Sequence, residues 1–214
     1  MMLYAIVGPS GAGKTTLQKM MEDRGAKGII STTSRPMRPG ERDGVDYDFL
    51  SRDDFERKID NDEFVEHTEY DGNYYGVSSD NIMRALESGK NHVAVIVVDI
   101  VGFLEIQRYT DDNGIAMRGI FLSADENILR ERLQRRPGVT PEFIQNRMST
   151  YEAESENAKF FNRPGDIVFI NSTRDGMELQ AAVLISNDWN RTFPGEGDHV
   201  PEDKGTKTKT HTPF

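Results

Sequence analysis

The stretch LYAIVGPSGAGKTT, Leu3 to Thr16, decides how this chain is read. Leu3 to Val7 is a short apolar run of the kind that forms a buried strand. The residues after it, Gly8, Pro9, Ser10, Gly11, Ala12, Gly13, Lys14 and Thr15, satisfy G-x-x-x-x-G-K-[ST]. In that pattern glycines let successive backbone N–H groups turn inward on phosphate oxygens, and the following helix offers its positive dipole end to the same anion. Lys14 then reaches the β- and γ-phosphates, the Thr15 hydroxyl can bind Mg²⁺, and Thr16 is counted with them in the triphosphate site. A glycine-rich turn without a ligand is the bland alternative. The context argues against it, because an apolar strand precedes the turn and helical character follows over Thr15 to Arg24, closed at Gly25. The expectation is a nucleoside triphosphate with Mg²⁺; the acceptor is left open by this motif.

Working outward, VAVIVVD (Val93 to Asp99) is the clearest buried parallel strand, β-branched and closed by an aspartate. GIFLS (Gly119 to Ser123) and DIVFIN (Asp166 to Asn171) are two more, and Gly28 to Ser31 reads as a further short one. The run DDFERKIDNDEF and Ser79 to Ser88 read as helices, as do the charged region 126–161, broken by RRPGVTPE, and a last segment, Gly176 to Trp189. Apolar strands alternating with helices predict an α/β fold, a P-loop NTPase-like parallel sheet flanked by helices. The tail 190–214 differs in kind. It holds three of nine prolines and balances four basic residues against four acidic ones without periodicity, so it is expected to be mobile.

Composition narrows the partners. With 26 Lys and Arg against 36 Asp and Glu, the net charge of −10 opposes non-specific binding to nucleic acid or anionic membrane. Any phosphate ligand must therefore meet a local basic cluster. No cysteine occurs, which excludes disulfides and thiolate metal sites. The N-terminus does not read as a signal peptide, and the longest apolar run, Val93 to Val98, is far below the ~20 residues of a spanning helix. The expectation is a soluble, cytoplasmic protein.

The local basic cluster is offered by STTSRPMRPGERDGVDYDF, Ser31 to Phe49. This stretch resembles the monophosphate-binding segment of guanylate kinases, and FVEHTEYDGNYYG (Phe64 to Gly76), RERLQRRPGVTPEFIQNRM (Arg130 to Met148) and VFIN (Val168 to Asn171) are similar to later motifs of that family, in the same order. The resemblance spans about 3–185 and implies one kinase domain over 1–189, with a small monophosphate-binding insertion at about 32–85 and a helical lid at about 126–161. It implies ATP-dependent conversion of GMP or dGMP to the diphosphate. The residues matching Arg35, Arg38, Tyr47 and Tyr75 hold the acceptor phosphate in the family, which suits planar guanidinium forks and neutral hydroxyl donors. Glu66 matches the carboxylate that accepts from the two adjacent donors of guanine, Ser31 the hydroxyl that donates to its O6, and Asp99 an aspartate beside its amino group. Gly76 lies in the same motif. Arg132, Arg136 and Arg147 match lid arginines on the triphosphate or the transferring group, and Asn171 a residue near the adenine; Arg136, Arg147 and Lys14 carry the catalytic expectation.

Two departures qualify that picture. The family usually has Ser or Thr after YYG, where this chain has Val77, and loss of one hydrogen bond to a buried acceptor is worth about 1–3 kcal/mol. The usual pair of strand-end aspartates appears here as Val97 and Asp99. Hence two alternatives stay open: a kinase of the same fold acting on a modified purine nucleotide, and a non-catalytic guanylate-kinase-like binding module. The intact Lys14 and Thr15 argue against the latter.

Overall fold

The computed structural model describes residues 1–70, 72–135 and 139–170. Strand β1 (Met2–Val7) is buried throughout, because both of its faces are covered. Tyr4 and Ile6 join one apolar cluster with Leu17 and Met21 of α1 (Lys14–Glu22) and Leu129 of α5 (Glu126–Gln134). Leu3, Ala5 and Val7 join a second with Ile82, Ala85 and Leu86 of α3 (Ser79–Ser88) and Phe103 and Ile106 of α4 (Ile100–Asp112). That is the two-sided burial expected of a parallel sheet. Its order is β2 (Lys27–Gly28), β7 (Val93–Val97), β1, β8 (Ala116–Ser123) and β9 (Ile167–Ile170). All four pairings are parallel.

A second, mixed sheet is built from β4 (Asp48–Phe49), β3 (Thr32–Thr33), β6 (Asn73–Ser78) and β5 (Phe64–Tyr70) in that order. Helix α2 (Arg52–Asp60) covers one face. Phe55, fully buried on α2, stacks between Phe64 at 4.3 Å and Tyr74 at 5.3 Å between centroids. The opposite face joins the main core through Val65 and Val77.

The expected strands and helices are present in the described part, with three differences. The segment Gly28 to Ser31 is not one strand. Ile29 N–H still pairs with Val95 O at 2.9 Å in the large sheet, whereas Thr32 and Thr33 have crossed to pair with β6. The helix expected over DDFERKIDNDEF stops short of Phe64, because α2 ends at Asp60 and Asp62 takes a positive φ of 54°; Phe64 opens β5, on which Glu66 lies. Helix α4 was not foreseen. The expected lid helices are α5, α6 (Pro141–Ser149) and α7 (Tyr151–Glu156); Thr140 caps α6 by accepting from Phe143 N–H, with Pro141 at its first position. Arg136, Asn171, the Gly176 to Trp189 segment and the tail 190–214 lie outside the described residues.

Phe55→Ala should cost about 3–5 kcal/mol in urea unfolding, since it empties the space between two stacked rings. A loss under about 1 kcal/mol would show that the small sheet does not depend on this packing.

Candidate active site

The glycine turn leaves the carboxyl end of β1, the central strand, which is where open α/β sheets bind their ligands. Gly8 has φ +148°, and a Cβ there would overlap the Leu122 carbonyl of β8, so only glycine lets the chain turn this close to its neighbour. Gly13 caps α1 in the left-handed region without a side-chain hydrogen bond, leaving the first N–H groups of the helix to the turn. Ala12 is buried, and its N–H donates to Pro9 O at 3.2 Å. Lys14 Nζ donates to Gly8 O at 2.6 Å and Pro9 O at 3.1 Å, so its ammonium lies against the start of the turn. Thr15 and Thr16 are exposed on the first turn of α1. Helix α5 packs Leu129 and Leu133 over Gly11, and Arg132 Nη1 reaches Gly11 O at 3.4 Å; burial lowers the pKa of that guanidinium.

The anion-binding candidates gather on the small sheet and the loop leading to it. Arg35 lies 5.6 Å from the Tyr47 ring centre and 5.7 Å from that of Phe49, and the Tyr47 and Tyr75 rings stand 6.2 Å apart, edge on. Glu41 organises this group. One carboxylate oxygen accepts from Arg35 Nη2 at 2.8 Å and the other from the Arg38 N–H at 2.7 Å. That contact raises the Arg35 pKa, and with Arg38 holds the Glu41 carboxyl below the usual carboxylate range. Sequence reasoning passed over Glu41; the signal was an acid three residues after Arg38 in a loop already dense with arginine. The Arg38 side chain itself is exposed.

The base-reading candidates meet at the N-terminus of α4. Strand β7 is the immediate neighbour of β1, and Val98 N–H extends the ladder to Ile6 O at 3.1 Å. Asp99 follows, and as N-cap of α4 its Oδ1 accepts from Gly102 N–H at 2.8 Å. A Cβ built on Gly102 would stand 3.5 Å from both Asp99 Oδ1 and Glu66 Cδ, so the two carboxyl groups flank this glycine. Glu66 reaches that position through a β-bulge. The register of β5 on β6 shifts between Phe64, paired with Ser78, and Glu66, paired with Val77. Phe64 therefore faces α2 while Val65 packs on the main core and Glu66 turns to α4. Burial pushes the Glu66 carboxyl up to about 7, with the Asp99 charge adding to the rise.

The remaining candidates fall differently. Ser31 is half-buried, and its carbonyl accepts from Asp48 N–H at 2.9 Å. Gly76 is buried on β6, where a Cβ would press on the Glu66 carbonyl at 2.8 Å. Val77 is 1% exposed and belongs to the apolar cluster. The Ser78 hydroxyl is engaged with Asn81, donating to Oδ1 at 2.8 Å and accepting from its N–H at 3.1 Å. The Arg147 guanidinium sits 5.3 Å over Phe143 of its own helix; among the described residues no hydrogen bond links it to the glycine turn.

Comparison with known proteins speaks to the family and the fold. A family model described as "Guanylate kinase" matches residues 1–175. The chain is 36% identical over 163 residues to a guanylate kinase of Fusobacterium nucleatum, covering 75% of this chain and 85% of that protein. It is 37% identical over 174 residues to one of Chlorobaculum tepidum (79% and 84% covered) and 36% over 189 residues to one of Homo sapiens (85% and 90% covered). A crystal structure of guanylate kinase from Anaplasma phagocytophilum superposes with a TM-score of 0.57 at 19% identity, covering 88% of this chain and 85% of that one, a likeness of fold.

A stability test isolates the Glu66 environment. Its folded-state pKa lies above the ordinary carboxyl value, so its ionisation destabilises the fold as pH climbs from the usual carboxylate range through about 7. Glu66→Gln should therefore raise Tm above pH 7, and the gain should vanish as pH falls below about 4.5. An equal Tm for both proteins across that range would contradict the placement.

Proposed function

The chain belongs to the guanylate kinase family and is a kinase that phosphorylates GMP using ATP; from that premise we propose how its own residues perform the transfer. The observation that carries the reading is the adjacency of β1 and β7, which sets the glycine turn and the Asp99–Glu66 pair side by side.

The acceptor oxygen of a monophosphate is already anionic, so the reaction needs no strong base. It needs two phosphate chains held in line and their repulsion offset. Gly8 to Thr16 cradle the triphosphate and Lys14 meets its β- and γ-oxygens. Mg²⁺, which takes few protein ligands and keeps water and phosphate oxygens, fits the exposed Thr15 hydroxyl, where it would neutralise charge on the phosphates. Arg35, Arg38, Tyr47 and Tyr75 hold the acceptor phosphate, with Glu41 orienting Arg35. Glu66 as carboxylate accepts from guanine N1–H and the amino group, Ser31 donates to O6, and Asp99 faces the amino group. Gly76 and Val77 form the strand behind them. Arg132 on α5 already contacts the turn, and we assign it to the triphosphate; Arg136 and Arg147 complete the charge in a closed lid over about 126–161 that excludes water. Asn171 serves the adenine. The domain runs over 1–189 with its monophosphate-binding part at about 32–85, and 190–214 is a tail outside it. The acidic surface fits a small-molecule acceptor rather than nucleic acid or membrane, and no described helix is long and apolar enough to cross a membrane.

A second reading concerns the acceptor's breadth. Val77 is buried among apolar side chains and Ser78 is held by Asn81, so neither supports a hydroxyl donor to O6. Discrimination at that position then rests on Ser31, and a purine altered at position 6 becomes an acceptor as well; dGMP, which carries the same base as GMP, is read alike there.

A coupled ADP-release assay over GMP, dGMP, 6-thioguanosine monophosphate and AMP tests both. GMP should be turned over, and the 6-thioguanine nucleotide, which keeps N1–H and the 2-amino group and changes position 6 alone, should follow within about 5- to 150-fold in kcat/KM, the worth of one hydrogen bond. No turnover of GMP would overturn the first reading; a preference for GMP beyond about 10⁴-fold would overturn the second. Because Glu66 must be ionised to accept two donors, KM for GMP should rise as pH falls through about 7 while KM for ATP does not follow. A GMP KM flat from pH 8 to 5 would remove Glu66 from the base site.

A further inference from the structure

Asn81, third residue of α3, is 3% exposed, and its amide joins three segments of chain. Oδ1 accepts from the Ser78 N–H at 2.8 Å, the Ser78 hydroxyl at 2.8 Å and the Thr32 hydroxyl at 3.1 Å. Nδ2 donates to Asp48 Oδ2 at 2.8 Å, and Arg84 pairs with the same carboxylate from one turn further along α3. Each partner is the immediate neighbour of a residue in the acceptor site: Thr32 follows Ser31, Asp48 follows Tyr47, and Ser78 follows Val77. Helix α3 is itself fixed to the main sheet by Ile82, Ala85 and Leu86. The third position of a capping box usually holds Glu or Gln, whose task ends at the helix terminus. Here a shorter amide closes the box and also reaches two other strands.

The side chain must be an amide for a definite reason. Three donors converge on one of its atoms while a carboxylate faces the other. A carboxylate at this position would set two anions together, and an aliphatic group would leave buried polar atoms unpaired.

We propose that Asn81 is a positioning residue for the acceptor: through Thr32, Asp48 and Ser78 it locks Ser31, Tyr47 and the Val77 end of β6 onto α3, and so sets affinity for GMP without touching it. The inference rests on the assignment of this region to GMP.

The test is steady-state kinetics and calorimetric titration of wild type, Asn81→Asp, and Asn81→Asp combined with Asp48→Asn. The single variant keeps the shape of the side chain but opposes two carboxylates. It should raise KM and Kd for GMP by about tenfold, one misplaced polar contact, with ATP affinity within about twofold of wild type. The double variant exchanges donor and acceptor between the two positions at unchanged net charge, and should recover most of the GMP affinity. A GMP KM in the single variant within about twofold of wild type overturns the proposal. So does a parallel loss of ATP and GMP affinity that the double variant fails to restore, which would mark Asn81 as a general stabiliser. Wild-type protein that binds ATP but neither binds nor phosphorylates GMP would instead overturn the functional reading, and this proposal with it.

Discussion

The parallel pairing of β1 with β7, carried one step past the strand end by Val98 N–H to Ile6 O, is the constraint on which the rest of the molecule depends. Neighbouring strands lie about 4.8 Å apart, so whatever leaves their carboxyl ends starts close together. From one end leaves the glycine turn and from the other Asp99 at the head of α4. No loop has to span a long distance to bring the two binding centres into reach. The sheet can hold this geometry because β1 is buried on both faces and cannot slip by one residue without exchanging the Tyr4 and Ile6 face for that of Leu3 and Ala5.

The second constraint is electrostatic. A chain of net charge −10 must bind a triphosphate and a monophosphate, and the proposed site meets them by local concentration of cations rather than by overall charge. Arg35 is held by Glu41 and stands over two aromatic rings, an arrangement that limits its rotamers and would lower the entropy lost if, as proposed, it grips the acceptor phosphate. The base site works in the opposite sense. Two carboxyl groups share the space beside Gly102, and burial beside Asp99 makes Glu66 resist ionisation there; in the proposed base site the N–H donors of guanine would offset that. On the proposed assignment, stability is given up at this point for recognition, as is common where titratable groups are brought together to bind.

Much of this was legible in the sequence because the signals were strong and local. The glycine turn, the β-branched run of β7 and the helix Ser79 to Ser88 each carry their periodicity or turn chemistry within a dozen residues. The small sheet was not legible in the same way. Its strands β3 and β4 are two residues each and owe their existence to pairing partners far along the chain, so no local pattern announces them. Glu66 was singled out only by resemblance, and its setting was hidden for a related reason. It follows an acidic helix in sequence, and only the bulge at Val65, a property of its pairing with β6, turns it towards Asp99. Glu41, the cap at Asp99 and the amide of Asn81 were likewise invisible, since each acts through partners that the fold supplies. The site's residue types could thus be chosen from the sequence by resemblance, whereas their supports could be found only in three dimensions.

The central claim is that one crevice at the carboxyl ends of β1 and β7 holds both phosphate chains in line. Calorimetric titration with adenosine and guanosine joined 5′ to 5′ through five phosphates tests it most directly. A single molecule should bind per chain, displace both ATP and GMP, and bind at least about a hundredfold more tightly than either, because the second contact is made within one ligand. Binding no tighter than ATP, with GMP still able to bind alongside, would contradict the shared crevice.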